Sequence, residues 1–139
     1  MKQFFGQKLL LCCAVAALAL AFAACEKDAG KLPAIQFKTS AGYTSADVTV
    51  AKGTAILVGI VADKTEDKDV LKSFNLSASF DGAAAVSVAT IALSGAEGDH
   101  YEVDLPIVAR NQAGTEKYTF TVTNRDGLTN QVSLTVTVQ

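Results

Sequence analysis

The side chains that could carry catalysis or bind a metal are few in this sequence. His100 is the single histidine, and the cysteines are Cys12, Cys13 and Cys25, all near the N-terminus. A serine or cysteine nucleophile needs a histidine beside it, and no G-x-S-x-G elbow is present to hold a serine. A structural zinc site needs four Cys or His ligands. We therefore expect no enzyme activity, no catalytic residue, no metal site, no cofactor and no disulfide.

One acidic cluster, in residues 63–70, is the best candidate for calcium, which favours several carboxylates from one loop. Lys64 and Lys68 are interleaved with the acids, and the spacing fits no EF-hand. The preferred interpretation is a solvated loop, with calcium as the alternative. Glu97 and Asp99 flank Gly98 in a second turn of the same kind.

Candidate ligand-binding residues rest on weaker signals. Carbohydrate modules often stack sugars on exposed aromatic rings, and the sequence has no Trp. Tyr43 is the candidate for such a ring, because it lies outside any clear strand. Arg110, Asn111 and Gln112 occupy a polar turn that we expect at the end of the domain opposite the N-terminus.

The N-terminus has the pattern of a secretion signal. Lys2 and Lys8 precede an unbroken apolar run over residues 9–24, which is short for a membrane span. The run ends Ala21-Phe22-Ala23-Ala24-Cys25, which resembles the lipobox of bacterial lipoproteins, with Phe in place of the usual Leu. The resemblance implies cleavage after residue 24 and lipid attachment to Cys25. An ordinary secretory signal and a retained helix are the alternatives.

The residues after Cys25 are Glu-Lys-Asp-Ala-Gly-Lys. This charged stretch resembles the export signal of Bacteroidetes-type surface lipoproteins, in which acidic residues and a Lys near the cysteine direct the protein outward. The resemblance implies a lipid (palmitate) anchor in the outer membrane and exposure at the cell surface. A solvated tether over residues 25–32 is the simpler interpretation of the same residues.

From residue 33 onward the hydrophobic pattern has a period of two, as in strands with one buried face. Clear examples begin at Phe74, Tyr101, Tyr118 and Val132. Residues 54–62 (TAILVGIVA) are apolar in both phases, so we expect a central strand covered by the core on one side and by loops or a partner on the other. Residues 84–93 alternate weakly and indicate an irregular or edge strand.

About seven short antiparallel strands separated by Gly and Asn/Asp turns predict an all-β sandwich over residues 33–139. The C-terminal stretch over residues 118–138 resembles the last hairpin of bacterial Ig-like and cadherin-like domains. The cysteine pair and core Trp of antibody domains are absent, so the resemblance implies only the wider Ig-like architecture. Tyr118 is either a tyrosine corner or an ordinary core residue.

Charge excludes one class of partner. The chain has 12 basic and 14 acidic residues and no basic patch, so we expect no nucleic-acid partner. The leading hypothesis is a non-catalytic binding or adhesion module, joined to the membrane through the lipid on Cys25, that contacts a protein or a glycan. The alternative is an accessory subunit of an envelope complex, such as a glycan-uptake system, with TAILVGIVA as its apolar face.

Overall fold

The computed structural model describes residues 29–139, so the signal peptide predicted for residues 1–24 and Cys25 lie outside the described residues. Within this range the chain forms one short 3₁₀ helix, Gly95–Gly98, and eight strands: β1 (Ala34–Phe37), β2 (Val48–Val50), β3 (Ala55–Asp63), β4 (Leu71–Phe80), β5 (Val86–Ala92), β6 (His100–Val108), β7 (Gly114–Asn124) and β8 (Thr129–Val138). No helix over residues 29–139 is long and apolar enough to cross a membrane.

The strands form a sandwich of two sheets, which confirms the predicted fold class. One sheet has the order β1-β3-β6 and the other the order β2-β8-β7-β4-β5. In immunoglobulin domains strands A, B and E share one sheet and strands C, F and G share the other. Here β1, β3 and β6 correspond to A, B and E, and β4, β7 and β8 to C, F and G. The domain is therefore an Ig-like β-sandwich.

Two details differ from the prediction of about seven antiparallel strands. The structure has eight strands, because the N-terminal segment is divided between the sheets as β1 and β2. In addition, β2 pairs in parallel with β8, with Val48 opposite Val136. A three-residue strand has almost no pattern of its own, so its sheet and its direction depend on the neighbour that it meets.

The core forms where the alternating apolar residues of the two sheets face each other, as their period of two predicts. Six strands, β1, β3, β4, β6, β7 and β8, contribute to the buried set, which includes Ile35, Val58, Ile60, Ala62, Phe74, Leu76, Ala78, Tyr101, Ile107, Tyr118, Phe120, Val122, Leu134, Val136 and Val138. Phe37 meets Phe120 edge-to-face across the sandwich, with ring centroids 5.7 Å apart.

Residues 54–62 are partly covered on their outer face by the chain itself, at Gly59, whereas Leu57 on the same face is 37% exposed. The segment after β1 continues along β3, where Lys38 and Thr44 donate backbone hydrogen bonds to Gly59 O and Leu57 O. The side chains of Lys38 and Tyr43 lie against Gly59, which is buried. TAILVGIVA is thus a central strand between the core and a loop, with Leu57 as an exposed apolar side chain on its outer face.

Candidate functional site

The most exposed apolar segment over residues 29–139 is β5, at one edge of the five-stranded sheet. It pairs with β4 on one side only. Val86 is 67% exposed, Val88 60% and Ile91 36%. The weakly alternating stretch 84–93 is therefore an edge strand, as predicted, but one that exposes apolar side chains.

The pairing with β4 explains the exposure. Ile91, Ala89 and Val86 stand opposite Phe74, Leu76 and Ala78, which all face the core. Cross-strand partners point to the same side of a sheet, so this row of β5 also faces the core side. The three-stranded sheet has no strand beyond β6 in the described range to cover it. A strip of the sheet's inner face is thus left open to solvent.

The β5 edge has no charged side chain to protect it. Residues 82–96 contain no Asp, Glu, Lys or Arg, and β5 contains no Pro. Natural edge strands are usually protected by charges, prolines, bulges or short length. Of these, β5 has a bulge: Leu76 pairs with Ala89 and Ser77 with Ser87, so Val88 is an extra residue. An uncharged apolar edge of this kind is suited to pairing with another strand.

The N-terminal end of the sandwich comprises residues 29–33 and the loops 63–70, 94–99 and 124–130, as the Ig-like order predicts. Residues 31–33 are fixed to two of these loops by four hydrogen bonds of 2.8–3.1 Å, which are Lys31 N to Glu66 Oε2, Thr65 Oγ1 to Leu32 O, Asn124 Nδ2 to Lys31 O and Asn130 Nδ2 to Pro33 O. The segment predicted as tether is therefore part of the domain from Lys31 onward.

Arg110 lies at the opposite end, with the loops 51–53 and 81–84. Its Nε lies 2.9 Å from Glu116 Oε1, its Nη2 lies 3.0 Å from Asp81 Oδ2, and its guanidinium stacks on the Phe80 ring at 4.5 Å. The Thr115 backbone N–H, and after it Arg110, lower the pKa of Asp81. These contacts engage Arg110 within the domain, so among the predicted binding residues of this turn only Asn111 and Gln112 are presented as exposed groups.

Tyr43 is half-buried on the outer face of the three-stranded sheet, so its ring is less available for stacking than the sequence suggested. Its hydroxyl donates to Asp104 Oδ2 at 2.9 Å, and Lys38 Nζ lies 5.5 Å from the ring centroid. Lys38 also pairs with Asp104 at 2.8 Å and with Glu102 at 3.1 Å. These polar groups form a ladder over β3 and β6.

His100 continues this ladder toward the N-terminal end. Its Nδ1 lies 2.6 Å from Asp63 Oδ1 and its Nε2 lies 3.1 Å from Glu102 Oε1. The Asp63 carboxylate, and after it Glu102, raise the pKa of His100 above 6.5. Each ring nitrogen thus lies within hydrogen-bond distance of a carboxylate, and these two carboxylates favour the imidazolium form of the ring.

The acidic loop 63–70 uses several of its carboxylates on the chain itself. Asp69 is buried, and it accepts hydrogen bonds from Val70 N and Asn124 Nδ2. A hollow of about 500 Å³ beside it has mixed charge, with a lining of Glu66, Asp67, Lys68, Asp69, Arg125 and Asp126. Over residues 29–139 no three metal-ligating side chains come together in a geometry that could hold an ion.

Two structural residues were missed by sequence reasoning. Glu116 and Asn124 are buried at the two ends of the inward row of β7, beyond Tyr118, Phe120 and Val122. Each closes one end of the core with a polar group that has all its partners within the domain. Extending the period of two by one step in each direction would have found both.

No protein-family model matches the sequence, and no curated protein matches it. Among solved structures, a superoxide reductase (neelaredoxin) from Ignicoccus hospitalis is 10% identical with a TM-score of 0.52, covering 78% of this chain and 81% of that chain. A variant of the same reductase is 12% identical with a TM-score of 0.53, covering 84% of this chain and 86% of that chain. At these identities the likeness shows a shared fold and carries no activity to this chain.

Proposed function

We propose that this protein is a lipid-anchored binding module of the bacterial cell envelope, without catalytic activity, that contacts a partner through β5. The observation that supports it best is the uncharged, apolar edge strand, with Val86 and Val88 each more than half exposed. Contiguous apolar surface of this kind is typical of interaction sites. Among the candidate residues elsewhere, Tyr43, His100 and Arg110 make polar side-chain contacts within the domain.

The anchor follows from Cys25 and the lipobox-like residues before it. With residues 31–33 fixed at the N-terminal end, the six residues from 25 to 30 can span at most about 20 Å. The N-terminal end is then held near the membrane. The turn with Asn111 and Gln112 faces away from it, and β5 runs between the two ends. Placement at the outer face of the outer membrane rests on the charged stretch after Cys25.

An accessory subunit is the second candidate, and the open apolar strip of β5 also favours it. A subunit buries such a strip permanently, whereas an adhesion module meets its partner only transiently. Purification of the detergent-solubilised protein from native membranes distinguishes the two candidates. A subunit should be recovered with a stoichiometric partner, and an adhesion module should be recovered without one.

The test uses the full chain in intact cells. Metabolic labelling with an alkyne-tagged fatty acid should mark the wild-type protein and fail on Cys25→Ala. Formaldehyde cross-linking and affinity purification should then recover a partner that Val86→Lys and Val88→Lys lose. Val108→Lys is the matched control, because Val108 is equally exposed, at 63%, but lies at the end of β6.

Each arm can overturn a different part of the proposal. Label retained on Cys25→Ala contradicts the lipid anchor. Equal partner recovery with wild type, Val88→Lys and Val108→Lys contradicts β5 as the contact surface. Loss of the partner on Asn111→Ala with Gln112→Ala, but not on the β5 variants, moves the contact to the turn opposite the N-terminus.

A further inference from the structure

We infer that the partner of β5 is a second copy of this chain, whose own β5 pairs with it in antiparallel orientation. The two five-stranded sheets then form one sheet of ten strands, five from each copy. The inference rests on the proposed function, which makes β5 the contact surface, and it adds the identity of the partner and the register of the pair.

The edges of the two sheets differ in what they can pair with. The described residues have four edge strands, which are β1 and β6 in one sheet and β2 and β5 in the other. β1 has four residues and β2 has three, so each offers few backbone groups. β6 carries His100, Glu102 and Asp104, and Pro106 removes one N–H from it. β5, with seven residues and neither charge nor proline, is therefore the edge best suited to a further strand.

β5 itself meets the requirements that this edge sets for a partner. An added strand has to be extended, unpaired on one side, uncharged and apolar at alternate positions. The β5 of a second copy has each of these properties. No residue in 82–96 has a charge that would repel the same residue on the copy. Two copies therefore cover each other's open edge with the one strand of the described chain that fits it.

The pair closes at two copies only if β5 runs antiparallel to its copy, because a two-fold axis between neighbouring strands of one sheet relates them in that way. The N-terminal ends of the two domains then lie at opposite ends of the joint sheet. Strands that lie along one membrane bring both N-terminal ends to it, and strands that stand between two facing membranes bring one end to each. The pairing therefore does not depend on how the domain is oriented at the membrane.

The bulge of β5 determines the register. With the two-fold axis at Thr90, each Thr90 stands opposite its copy, and Ala89 stands opposite Ile91 of the second copy. Ala89 and Ile91 pair with Leu76 and Phe74 of β4, so both lie on the core side, and the apolar rows of the two copies become neighbours. An axis at Ala89 would instead place Ile91 opposite residue 87, which the bulge has shifted to the other face.

The test places charges at the axis, where self-pairing alone brings them together. Thr90 is exposed, so a charged side chain is tolerated there in the single domain. Two full-length copies with different affinity tags are expressed in the same cells and extracted in mild detergent, and recovery of one tag with the other is measured. We expect wild-type copies to be recovered together. Recovery should fall about tenfold when both copies carry Thr90→Lys or both carry Thr90→Glu, because like charges then stand about 5 Å apart.

A mixture of one Thr90→Lys copy and one Thr90→Glu copy should restore the recovery, because opposite charges then face each other. A partner other than this chain would give the mixture no advantage over either variant alone. The matched control is Ser133→Lys with Ser133→Glu. Ser133 is also exposed, but it lies on β8, an interior strand of the same sheet, so none of its combinations should change the recovery.

Thr90→Cys gives a second measurement that introduces no charge. Facing Cα atoms of an antiparallel pair lie about 4.5–5.5 Å apart, which is within the range of a disulfide. After oxidation, the full chain should therefore run as a covalent dimer of two copies. Ser133→Cys should stay monomeric. The wild type should also stay monomeric, because its Cys25 thiol carries the lipid and no cysteine follows it.

Two results would each overturn the inference: a yield of Thr90→Cys dimer no higher than that of Ser133→Cys, or a Lys/Glu mixture recovered no better than two Thr90→Lys copies. If a different protein is nevertheless recovered through Val86 and Val88, the second copy fails and β5 stands as the contact surface. If no partner depends on β5, both proposals fail. An oxidised dimer of the wild type would show that Cys25 is free, so the anchor fails, and pairing at Thr90 is then tested with Cys25→Ala present.

Discussion

The hydroxyl of Tyr118 donates a 2.7 Å hydrogen bond to Oε2 of Glu116, two residues earlier on the inward face of β7. The other carboxylate oxygen accepts hydrogen bonds of 2.9 Å from the backbone N–H and from Nε of Arg110. The Tyr118 hydroxyl thus bonds to a side chain at this end of the sandwich, whereas the hydroxyl of a tyrosine corner bonds to the backbone. Burial raises the pKa of Glu116, but Tyr118 and Arg110 together lower it below 4.5.

Glu116→Gln should destabilise the domain by about 2 kcal/mol at pH 7, since it removes the charge from three hydrogen bonds in a buried site. Because the folded pKa of Glu116 is lowered, its contribution is present above the unfolded pKa, near 4.5, and is lost as pH falls through the folded pKa. Urea unfolding of both proteins at several pH values measures this. A difference in unfolding free energy that stays constant from neutral to strongly acid pH would contradict it.

His100 is expected to titrate above 6.5, because Asp63 and Glu102 stabilise its charged form. Because it is the single histidine, its imidazole C–H signals can be followed in an NMR titration without overlap from another histidine. Asp63→Asn should lower this pKa more than Glu102→Gln, and Asp126→Asn, on a different loop, should leave it unchanged. The stabilisation is present below 6.5 and is lost as pH rises through the raised folded value. A pKa of His100 at or below 6.5 in the wild type would contradict its pairing with Asp63 and Glu102.

Gly59→Ala should destabilise the domain by about 1–3 kcal/mol. A Cβ at position 59 would lie 2.6 Å from Lys38 Cδ and 2.8 Å from both Lys38 Cβ and Tyr43 Cδ1, so the covering segment has to move. Gly98→Ala is the control, because its Cβ would lie 3.4 Å or more from every neighbour, at ordinary contact distance. Thermal unfolding of the two variants compares them, and equal stabilities would show that the cover over Gly59 is loose.

Asn124→Ala should release the N-terminal segment. Asn124 is buried, donates to Lys31 O and Asp69 Oδ2, and accepts from Leu128 N at 2.8 Å. We expect a loss of about 2–3 kcal/mol, since buried partners are left unpaired. Hydrogen exchange should accelerate at residues 31–34 relative to Asn111→Ala, a control in the exposed turn. Unchanged exchange there would mean that the segment is held by its other contacts.

The strands of the core were predictable because each carries its own signal. Tyr101, Tyr118 and Val132 each begin a stretch in which every second residue is apolar, and burial of one face requires that period. The edge strand β5 was predictable as irregular but not as exposed. From sequence alone, the apolar residues of β5 would be predicted to lie in the core. They are exposed because the opposite sheet ends at β6 in the described range.

The candidate binding residues of the turn show a different limit. Arg110, Asn111 and Gln112 are adjacent in sequence and look alike as polar turn residues. In the folded domain, Phe80 at the end of β4 and Asp81 in the turn after it contact Arg110. Asn111 and Gln112 stay exposed. Contacts between residues far apart in the chain leave no local pattern, so sequence reasoning could not separate the three.

By itself the sequence determined the all-β class, the positions of the core strands and the scarcity of catalytic side chains, because these follow from residue types and from a period of two. It also provides the basis for expecting a lipid on Cys25. The tertiary structure alone decided that Tyr43 and Arg110 are engaged, that Glu116 and Asn124 close the ends of the core, and that β5 is left open. Each of these depends on which strands become neighbours, and strand order is set by packing across the whole domain.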